Sequence, residues 1–423
     1  MKVLVIGSGG REHAIIKSLK KNRHIKQIYA APGNGGIRCD AQCVPVKAID
    51  IPVMADFASQ NKIDYVVVVP DDPLAVGMVD ALEEKGIRCF GPNKAAARIE
   101  SSKVFAKDLM KKYGIPTAAY ETFCEADNAA DYVKSDSVSF PLVIKADGLA
   151  LGKGVIIASN HDEALNAINT VMLEKKFGSS GNSIVIEEFL TGPEVSVLAF
   201  TDGNTVKPMV SSMDHKRAFD GNTGPNTGGM GAVAANPYYT DEIASICEKN
   251  IFLPTIRAMR QELSPFKGCL YFGLMLTPRG PMVIEYNCRF GDPETQVILP
   301  LLETDLLEIM EAVTDGKLAE INIKWSDAKA ACVVLASGGY PSSYKTGFII
   351  DGLNEEGAVK NSGVTVFHAG TEYKDGAFFT AGGRVLGITA VASTLDSALE
   401  SAYKAANTIN FENVHYRKDI GKY

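Results

Sequence analysis

The sequence predicts an α/β protein of several domains, the first of which is a doubly wound parallel sheet. The chain has 423 residues, which is too long for one hydrophobic core and suggests two to four domains. An apolar run at 2–6 leads into a glycine turn at 7–10 and then into apolar residues at helical spacing. Strand, glycine turn and helix in this order open a doubly wound sheet, and such a helix start can hold a phosphate.

The composition is that of an ordinary globular protein, with 46% hydrophobic and 22% charged residues. A net charge of −7 and a pI near 5.5 argue against a nucleic-acid or membrane-surface partner, because both need a basic face. The 8 cysteines form no CxxC pair, which indicates reduced thiols rather than a zinc knuckle or a disulfide framework. The apolar run at the start is too short for a signal peptide or a membrane span. We therefore expect a cytoplasmic protein.

The glycine turn does not fit the dinucleotide fingerprint. The third glycine of that fingerprint would fall at position 12, which is Glu12. The next strand, at 25–31, ends in Pro32-Gly33-Asn34 without the acid that would bind a ribose hydroxyl. An NAD-dependent oxidoreductase is therefore a disfavoured alternative.

Two further strands also end in polar or Gly/Pro turns. A strand at 65–69 is followed by Asp71 and Asp72, and a strand at 87–90 is followed by Gly91. Open parallel sheets bind ligands at the edge where such turns meet, so Asp71 is a candidate binding residue. Capping of the following helix by the two acids is the alternative interpretation.

A helix at 103–112 with a serine cap opens the second region. A strand at 143–145 then leads through the glycine-rich segment 147–155 into another strand. This pattern indicates a hairpin flap whose backbone amides can cover phosphates, although a simple tight turn remains possible. It is not a Walker A loop, because neither a helix nor Ser/Thr follows Lys153.

Two polar features follow. The strand at 184–190 carries Glu187 and Glu188 near its end, and such acids must reach solvent or meet donors such as ribose hydroxyls. The segment 214–231 is predicted to be a long polar loop with five glycines. Structureless loops of this length are usually functional, and a flexible linker is the alternative.

The segment 284–296 is the best candidate for the chemical centre. It begins as a strand, so Glu285, Asn287 and Arg289 share one face, while Cys288 belongs to the core face. A carboxylate beside an amide oxygen suits Mg²⁺, and the arginine would clamp an anion. The alternative is a buried strand whose one acid pairs with its one arginine. A helix at 303–315, strands at 330–336 and 364–368, and a helix near 394–409 complete the chain.

Taken together, these stretches resemble the glycinamide ribonucleotide synthetases of the ATP-grasp superfamily. The resemblance runs from Met1 to Gly421 and is most specific in the blocks 214–231 and 285–296. It implies a doubly wound N-terminal domain at 1–102, a two-part ATP-grasp domain at 103–325 with a flap subdomain at about 118–192, and a small C-terminal α/β domain at 326–423.

The resemblance also implies a reaction of purine biosynthesis. ATP, glycine and 5-phosphoribosylamine would give glycinamide ribonucleotide, ADP and phosphate through a glycyl phosphate, with Mg²⁺ or Mn²⁺. We expect a monomer or homodimer, without fused activities because the chain stops after its third domain. Another purine-pathway ATP-grasp enzyme, which carboxylates or formylates a ribonucleotide, is the nearest alternative. A nucleotide-binding regulator without turnover is a further one.

Matching motifs imply the following roles. The expected ATP contacts are Lys107, Lys145, Gly152, Lys153 and Gly154 at the phosphates, Glu187, Glu188 and Leu190 at the adenine, and Glu194 at the ribose. The expected metal ligands are Glu285 and Asn287, because the strand at 271–276 has no acid. The expected catalytic and glycine-binding residues are Arg289, Asp214, His215, Lys216 and Arg217. The expected contacts of phosphoribosylamine are Gly9, Gly10, Arg11, Glu12, Asp71 and Arg384.

Overall fold

The computed structural model describes residues 1–149, 154–360 and 362–422. Its first region contains β1 (Lys2–Gly7), α1 (Gly10–Leu19), β2 (Gln27–Pro32), β3 (Gln42–Cys43), α2 (Ile51–Gln60), β4 (Tyr65–Val68), α3 (Asp71–Val76), α4 (Met78–Glu84), β5 (Arg88–Phe90) and α5 (Lys94–Ser101). The strands form a parallel sheet in the order β3-β2-β1-β4-β5. Strands β1 and β4 are apolar runs without alternation because helices cover both faces of the sheet. The predicted doubly wound sheet is confirmed.

The strand order reverses between β1 and β4, which brings the turns after these strands to one edge. The glycine turn that begins at Gly7 and the acids at the start of α3 therefore meet there. This is the place where doubly wound sheets bind their ligands.

The second region is a smaller antiparallel sheet with three helices. It contains α6 (Lys103–Tyr113), β6 (Tyr120–Phe123), α7 (Ala126–Lys134), β7 (Leu142–Ala146), β8 (Val155–Ala158), α8 (His161–Ile168) and β9 (Ile184–Glu188). The sheet order is β6-β9-β7-β8. Strands β7 and β8 pair as the predicted hairpin, with Lys145 opposite Val155. The side chain of Ser102 caps α6, as its sequence predicts.

The third region is the large central sheet. It begins with β10 (Glu194–Asp202), β11 (Val206–Pro208), β12 (Ser212–Asp214), β13 (Arg217–Phe219), β14 (Thr223–Asn226), β15 (Gly231–Ala234), α9 (Asp241–Cys247), α10 (Leu253–Gln261), β16 (Lys267–Thr277), β17 (Gly280–Asn287), α11 (Thr295–Ile298) and α12 (Leu306–Asp315). The last elements are β18 (Lys329–Ala336), β19 (Thr365–His368), β20 (Thr371–Lys374), β21 (Ala377–Thr380), β22 (Arg384–Ala392) and α13 (Leu395–Ala406).

The C-terminal strands continue this sheet. The order is β17-β16-β10-β12-β15-β18-β22-β19, with β11 paired to β10, which makes nine antiparallel strands. Residues Ala330 to Val333 pair with the strand at Gly231–Ala234. The boundaries predicted at 102/103 and 325/326 stay predictions.

Two local expectations differ from the structure. The segment 214–231 is not a continuous loop, because β13 and β14 form a hairpin within it. Strand β17 contains a bulge, since Glu285 lies opposite Gly273 but Val283 lies opposite Leu274. Tyr286 and Cys288 nevertheless lie in the core, as the alternation predicts. No helix in the described part of the chain is both long and apolar enough to cross a bilayer.

Candidate functional site

Two lysines and one glutamate form a buried cluster between the smaller sheet and the central sheet. The Nζ of Lys107 lies 3.1 Å from Oε2 of Glu187, and the Nζ of Lys145 lies 2.9 Å from Oε1 of the same carboxylate. Lys107 and Glu187 are each only 3% exposed. The Nζ of Lys145 also donates to the carbonyl of Ile284 on β17, at 2.9 Å. Glu187 therefore holds two cations next to β17, the strand that carries Glu285.

Burial lowers the pKa of Lys107 to about 8, and the charge of Lys145 acts in the same direction against the charge of Glu187. The Nζ of Lys107 donates to the hydroxyl of Thr117 at 2.7 Å. That hydroxyl in turn donates to the carbonyl of Val283, also at 2.7 Å. Lys107 is thus held against β17 as well.

Glu285 is the acid predicted to hold a metal. Its carboxylate lies 3.4 Å from the Nζ of Lys216, and its side chain remains 38% exposed. The Lys216 charge lowers the pKa of Glu285 to about 2 against the effect of burial, with help from Lys145 and Lys103. Glu285 is therefore ionised throughout the physiological range. The alternative pairing of Glu285 with Arg289 does not occur, because the nearest basic group is a lysine.

The donor set fits a divalent cation that brings its own oxygen ligands. Asn287 ends β17 on the same side, and its amide makes no hydrogen bond to the described residues. No group of three or more His, Cys, Asp or Glu side chains in residues 1–149, 154–360 and 362–422 could enclose a metal. The chain can thus offer one carboxylate and one amide, which is typical of Mg²⁺ bound with nucleotide phosphates and waters.

Lys216 joins the acids of two elements. Its Nζ lies 3.3 Å from Oε2 of Glu194 and 3.4 Å from Oε1 of Glu285. Although burial alone would lower the pKa of Lys216, the charges of these two acids raise it well above its usual value. Lys216 therefore carries a positive charge beside the predicted metal ligand.

The residues predicted at the adenine lie next to the cluster on β9 and just after it. Glu188 forms an ion pair with Arg279, and this hydrogen bond lowers the pKa of its carboxyl. Leu190 is buried. The carboxylate of Glu187 is held by the two lysines, and the residue lies between two paired strands, opposite Tyr120 and Val143. An adenine contact of Glu187 stays a prediction.

Arg289 follows the end of β17 and pairs with an acid of α5. Its Nη2 pairs with Oε1 of Glu100 at 3.1 Å, and Oε2 of Glu100 accepts from the backbone N–H of Cys288 at 2.7 Å. The Nε of Arg289 is buried and has no partner among the described residues. Burial would raise the pKa of Asp71, but Arg289 and Arg11 hold it below its usual value. Arg289 therefore keeps a free donor between two acids.

The glycine turn packs directly against the segment 292–296. Oε2 of Glu12 accepts from the N–H of Gly9, and Oε1 accepts from Nε of Arg11 at 2.7 Å. The Nη1 of Arg11 donates to the carbonyl of Phe290 at 3.3 Å. A Cβ at Gly10 would lie 2.6 Å from Nε2 of Gln296, so a side chain here would displace the Gln296 amide or the start of the helix. Glu12 thus shapes the turn from within.

Asp214 and Glu294, which come from the two specific blocks, lie within range of each other's charge. Burial raises the pKa of Asp214 well above its usual value, and the charge of Glu294 adds to this. Burial likewise raises the pKa of Glu294. The Oδ1 of Asp214 is buried without a hydrogen-bond partner in the described structure. The pair can therefore hold a proton or meet a cationic group.

Arg384 reaches the site from the start of β22. Its Nη1 donates to the carbonyl of Asp292 at 2.7 Å and to the carbonyl of Gly228. Its Nη2 lies 3.3 Å from Oδ2 of Asp292. Arg384 thus joins the blocks 214–231 and 285–296 by contacts within the protein.

The structure does not bring every predicted residue to the cluster. His215 is buried against the C-terminal segment, where its Nε2 accepts from the N–H of Gly421 at 3.0 Å. Burial lowers the pKa of His215 to about 4, with a contribution from Arg417. Arg217 donates to the carbonyl of Gly224 at 2.7 Å within the hairpin. These positions argue against direct substrate contacts for both residues.

The flap falls partly outside the described residues. Gly152 and Lys153 belong to the segment 150–153, of which nothing is described, and Gly154 is buried at the start of β8.

Four site residues are absent from the sequence-based set. Lys103 donates to the carbonyl of Gly148 at 2.8 Å and lies in the field of Glu285. Glu100, Asp292 and Glu294 pair with, or lie beside, predicted site residues. The acids of 292–294 lie in a segment already singled out, so the sequence held their signal. Lys103 and Glu100 carry no local signal, because their partners are distant in the chain.

Comparison with known protein families gives matches over nearly the whole chain. Residues 1–100, 101–295 and 330–423 match the N domain, the ATP-grasp (A) domain and the C domain of phosphoribosylglycinamide synthetase. The phosphoribosylamine–glycine ligase of Caldanaerobacter subterraneus subsp. tengcongensis is 48% identical over 420 residues, which cover 99% of each chain. The trifunctional purine biosynthetic protein adenosine-3 of Gallus gallus is 48% identical over 99% of this chain and 42% of its own length.

Solved structures agree with these matches. The crystal structure of the phosphoribosylamine–glycine ligase from Thermotoga maritima has a TM-score of 0.86 at 34% identity, with 100% of both chains covered. A biotin carboxylase–β,γ-ATP complex from Campylobacter jejuni has a TM-score of 0.77 at 14% identity, and covers 98% of this chain and 92% of its own. At that identity the second likeness shows the fold alone.

Proposed function

We infer that this chain, which belongs to the phosphoribosylglycinamide synthetase family, is a carboxylate–amine ligase that joins glycine to 5-phosphoribosylamine with ATP. The products are glycinamide ribonucleotide, ADP and phosphate, and the reaction belongs to purine biosynthesis.

The chemistry requires two steps, because a carboxylate is a poor acylating agent. A carboxylate oxygen of glycine attacks the γ-phosphorus of ATP, ADP leaves, and glycyl phosphate forms. The amine nitrogen of phosphoribosylamine then attacks the acyl carbon, loses a proton, and expels phosphate. Phosphoryl transfer depends mainly on alignment and on neutralisation of charge, so the protein must supply cations on one side and an amine site on the other.

The lysine cluster suits the nucleotide side. Lys107 and Lys145 supply two ammonium groups, and both are fixed by Glu187. Lys103 lies at the base of the flap. Because these cations are held by ion pairs before ATP arrives, they need no reorganisation when a triphosphate binds.

Glu285 and Asn287 would hold Mg²⁺ or Mn²⁺ together with phosphate oxygens. The ion supplies neutralisation of charge on the transferring phosphoryl group when it is bound. Lys216 lies 3.4 Å from Glu285 and keeps that carboxylate ionised.

The residues beyond Glu285 suit the two acceptors. Arg289 has a free Nε and is our candidate for the glycine carboxylate, together with Asp214 at the end of β12 and Lys216, which follows that strand. The glycine turn, Asp71 and the first N–H groups of α1 suit the phosphorylated amine on the other side.

The single observation that carries this proposal is the position of the segment 285–296. Its first residue, Glu285, pairs with Lys216 and follows Ile284, whose carbonyl accepts from Lys145 of the lysine cluster. Its last residue, Gln296, packs against Gly10 at the start of α1. One segment thus contacts both the nucleotide side and the amine side. We also propose a cytoplasmic monomer or homodimer, which agrees with cysteines that are all free.

Release of ADP tests the proposed function. The assay contains ATP, Mg²⁺ and glycine, with and without phosphoribosylamine generated in situ. We expect release only when both acceptors are present. Release that is independent of glycine would indicate a different carboxylate on the same scaffold, such as the substrate of a carboxylating ATP-grasp enzyme, and would refute the proposal.

A further inference from the structure

Asn34 connects the glycine turn at 7–10 to the C-terminal strand β19. Its Nδ2 donates to the carbonyl of Ser8, at 2.8 Å, and to the carbonyl of His368, also at 2.8 Å. Ser8 lies inside the glycine turn between β1 and α1, and His368 is the last residue of β19. One side chain thus holds the two segments together.

The oxygen of the Asn34 side-chain amide also forms hydrogen bonds. The Oδ1 of Asn34 accepts from the N–H of Gly36 at 3.0 Å and from the N–H of Ile37 at 2.9 Å. Both hydrogens of the amide nitrogen are therefore donated to backbone carbonyls, and the oxygen stabilises the local turn by accepting from two backbone N–H groups. Asn34 has no donor left for a ligand, so any role in substrate binding must act through the turn.

His13 makes a second connection between the same two segments. It follows Glu12 in α1, and its Nδ1 accepts from the backbone N–H of His368 at 2.9 Å. Because Nδ1 is an acceptor, the proton lies on Nε2, which donates to Asp40 at 3.0 Å. Burial lowers the pKa of His13, in agreement with a neutral ring.

Backbone packing completes this junction. The N–H of Gly35 donates to the carbonyl of Thr371 at 2.9 Å. A Cβ at Gly36 would lie 2.1 Å from Cγ of His368, so glycine is required where the loop meets the strand. The end of strand β19 therefore packs directly against the loop after β2, with no room for a side chain at Gly36 between them.

We propose that Asn34 and His13 are positioning residues for the amine substrate, because they fix the turn at 7–12 against the C-terminal strand β19. This inference rests on the proposed function, in which that turn receives phosphoribosylamine. Loss of either link lets the start of α1 shift, while the lysine cluster on the nucleotide side keeps its own contacts. The C-terminal region thus contributes to amine binding without touching the amine.

The substitution Asn34→Asp tests the link with a side chain of the same shape. Aspartate keeps the acceptor for Gly36 and Ile37, but it cannot donate to Ser8 or His368. With two hydrogen bonds lost, the KM for phosphoribosylamine should rise on the order of tenfold or more. The KM values for ATP and glycine should change by less than about twofold, because their contacts are elsewhere.

Two further variants make the test specific. His13→Asn keeps an acceptor near the position of Nδ1, whereas His13→Gln keeps only a donor toward Asp40. We therefore expect His13→Gln to raise the KM for phosphoribosylamine more than His13→Asn does. Asn22→Ala serves as the matched control, since the Nδ2 of Asn22 donates to Asp305 at 2.9 Å, a contact between the same regions at the far end of α1.

The outcomes separate this inference from the proposed function. Wild-type protein that releases no ADP with both acceptors refutes the ligase itself. An active wild type together with an unchanged KM for phosphoribosylamine in Asn34→Asp overturns the positioning role. An equal rise of all three KM values also overturns it, because that result indicates general loss of structure. If Asn34→Asp does not fold, the order of the two His13 variants decides.

Discussion

Glu285 is the only acid of its strand segment and lies among basic groups. Lys216, Lys145, Lys103 and Arg289 all lower its pKa, and only the first is within ion-pair distance. An excess of cations around one partly exposed carboxylate is unfavourable for a bare metal ion, but it suits a metal that arrives with polyphosphate. We therefore interpret Glu285 as part of a site for a nucleotide–metal complex rather than as a permanent metal ligand.

The substitution Glu285→Gln tests this interpretation. Glutamine keeps the shape of the side chain but removes the charge, so we expect turnover to fall by at least about 10²-fold, as for other preorganised electrostatic groups. The melting temperature should stay near the wild-type value, because the side chain is partly exposed. Glu262→Gln, which removes a surface ion pair with Lys112, is the control and should keep full activity. A normal Mg²⁺-dependent rate in Glu285→Gln would show that Glu285 is not a metal ligand.

Lys107 gives the site a predictable pH dependence. Its pKa of about 8, lowered by burial, means that the ammonium loses its charge as the pH rises through that value. The kcat/KM for ATP reports the free enzyme, so it should fall between about pH 7 and about pH 9. Lys107→Arg remains charged across this range and should flatten that part of the profile. Identical profiles for the two proteins would show that another group titrates.

At the scale of elements, the helix α1 and the segment 292–296 form one unit. The start of the helix has no room for a side chain at Gly10, because Gln296 lies against it. Gln296 also donates from Nε2 to Oδ1 of Asp292 at 2.7 Å. The position of the proposed amine site therefore depends on the fit between a glycine and an amide from distant parts of the chain.

Gly10→Ala should disturb this fit. The added Cβ would lie 2.6 Å from Nε2 of Gln296, so the Gln296 amide or the helix start must move, and we expect kcat/KM for phosphoribosylamine to fall on the order of tenfold. The double variant Gly10→Ala with Gln296→Ala removes the clash and should recover part of the loss. Steady-state kinetics of the single and double variants provide the check, and a double variant worse than the product of both singles would contradict this explanation.

The sequence predicts elements well where the pattern is local. The strand, glycine turn and helix at the start, the capped helix α6 and the hairpin of β7 and β8 follow from composition and spacing. The sequence predicts a loop where β13 and β14 form a hairpin, because these strands have only 3 and 4 residues and β14 consists of Thr, Gly, Pro and Asn. The contact of Cys288 with Glu100 joins positions 188 residues apart, and no local pattern encodes it.

At the scale of the molecule, the C-terminal strands are part of the central sheet. Strand β18 pairs with β15 on one side and with β22 on the other, and its residues are buried. The sequence indicates the strands at 330–336 and 364–368. It does not indicate their partners in the sheet, because the pairing depends on side chains far away in the chain. The predicted C-terminal domain is confirmed by the family match at 330–423, and the structure adds that its strands continue the central sheet.

A chain shortened to residues 1–329 tests this continuity. Removal of β18, β19 and β22 exposes the edge of β15 and leaves apolar surface uncovered, so we expect an aggregated or unfolded product. Size-exclusion chromatography and circular dichroism provide the check, with the full chain as the control. A monomeric fragment with a cooperative unfolding transition would contradict this prediction.

In the proposed reaction, ATP activates the carboxylate of glycine before the amine attacks. Transfer of oxygen tests this most directly, with glycine labelled by ¹⁸O at both carboxylate oxygens, ATP, Mg²⁺ and phosphoribosylamine generated in situ. If glycyl phosphate forms, each phosphate released carries one labelled oxygen, and glycinamide ribonucleotide keeps the other. Formation of glycinamide ribonucleotide with unlabelled phosphate would contradict the claim.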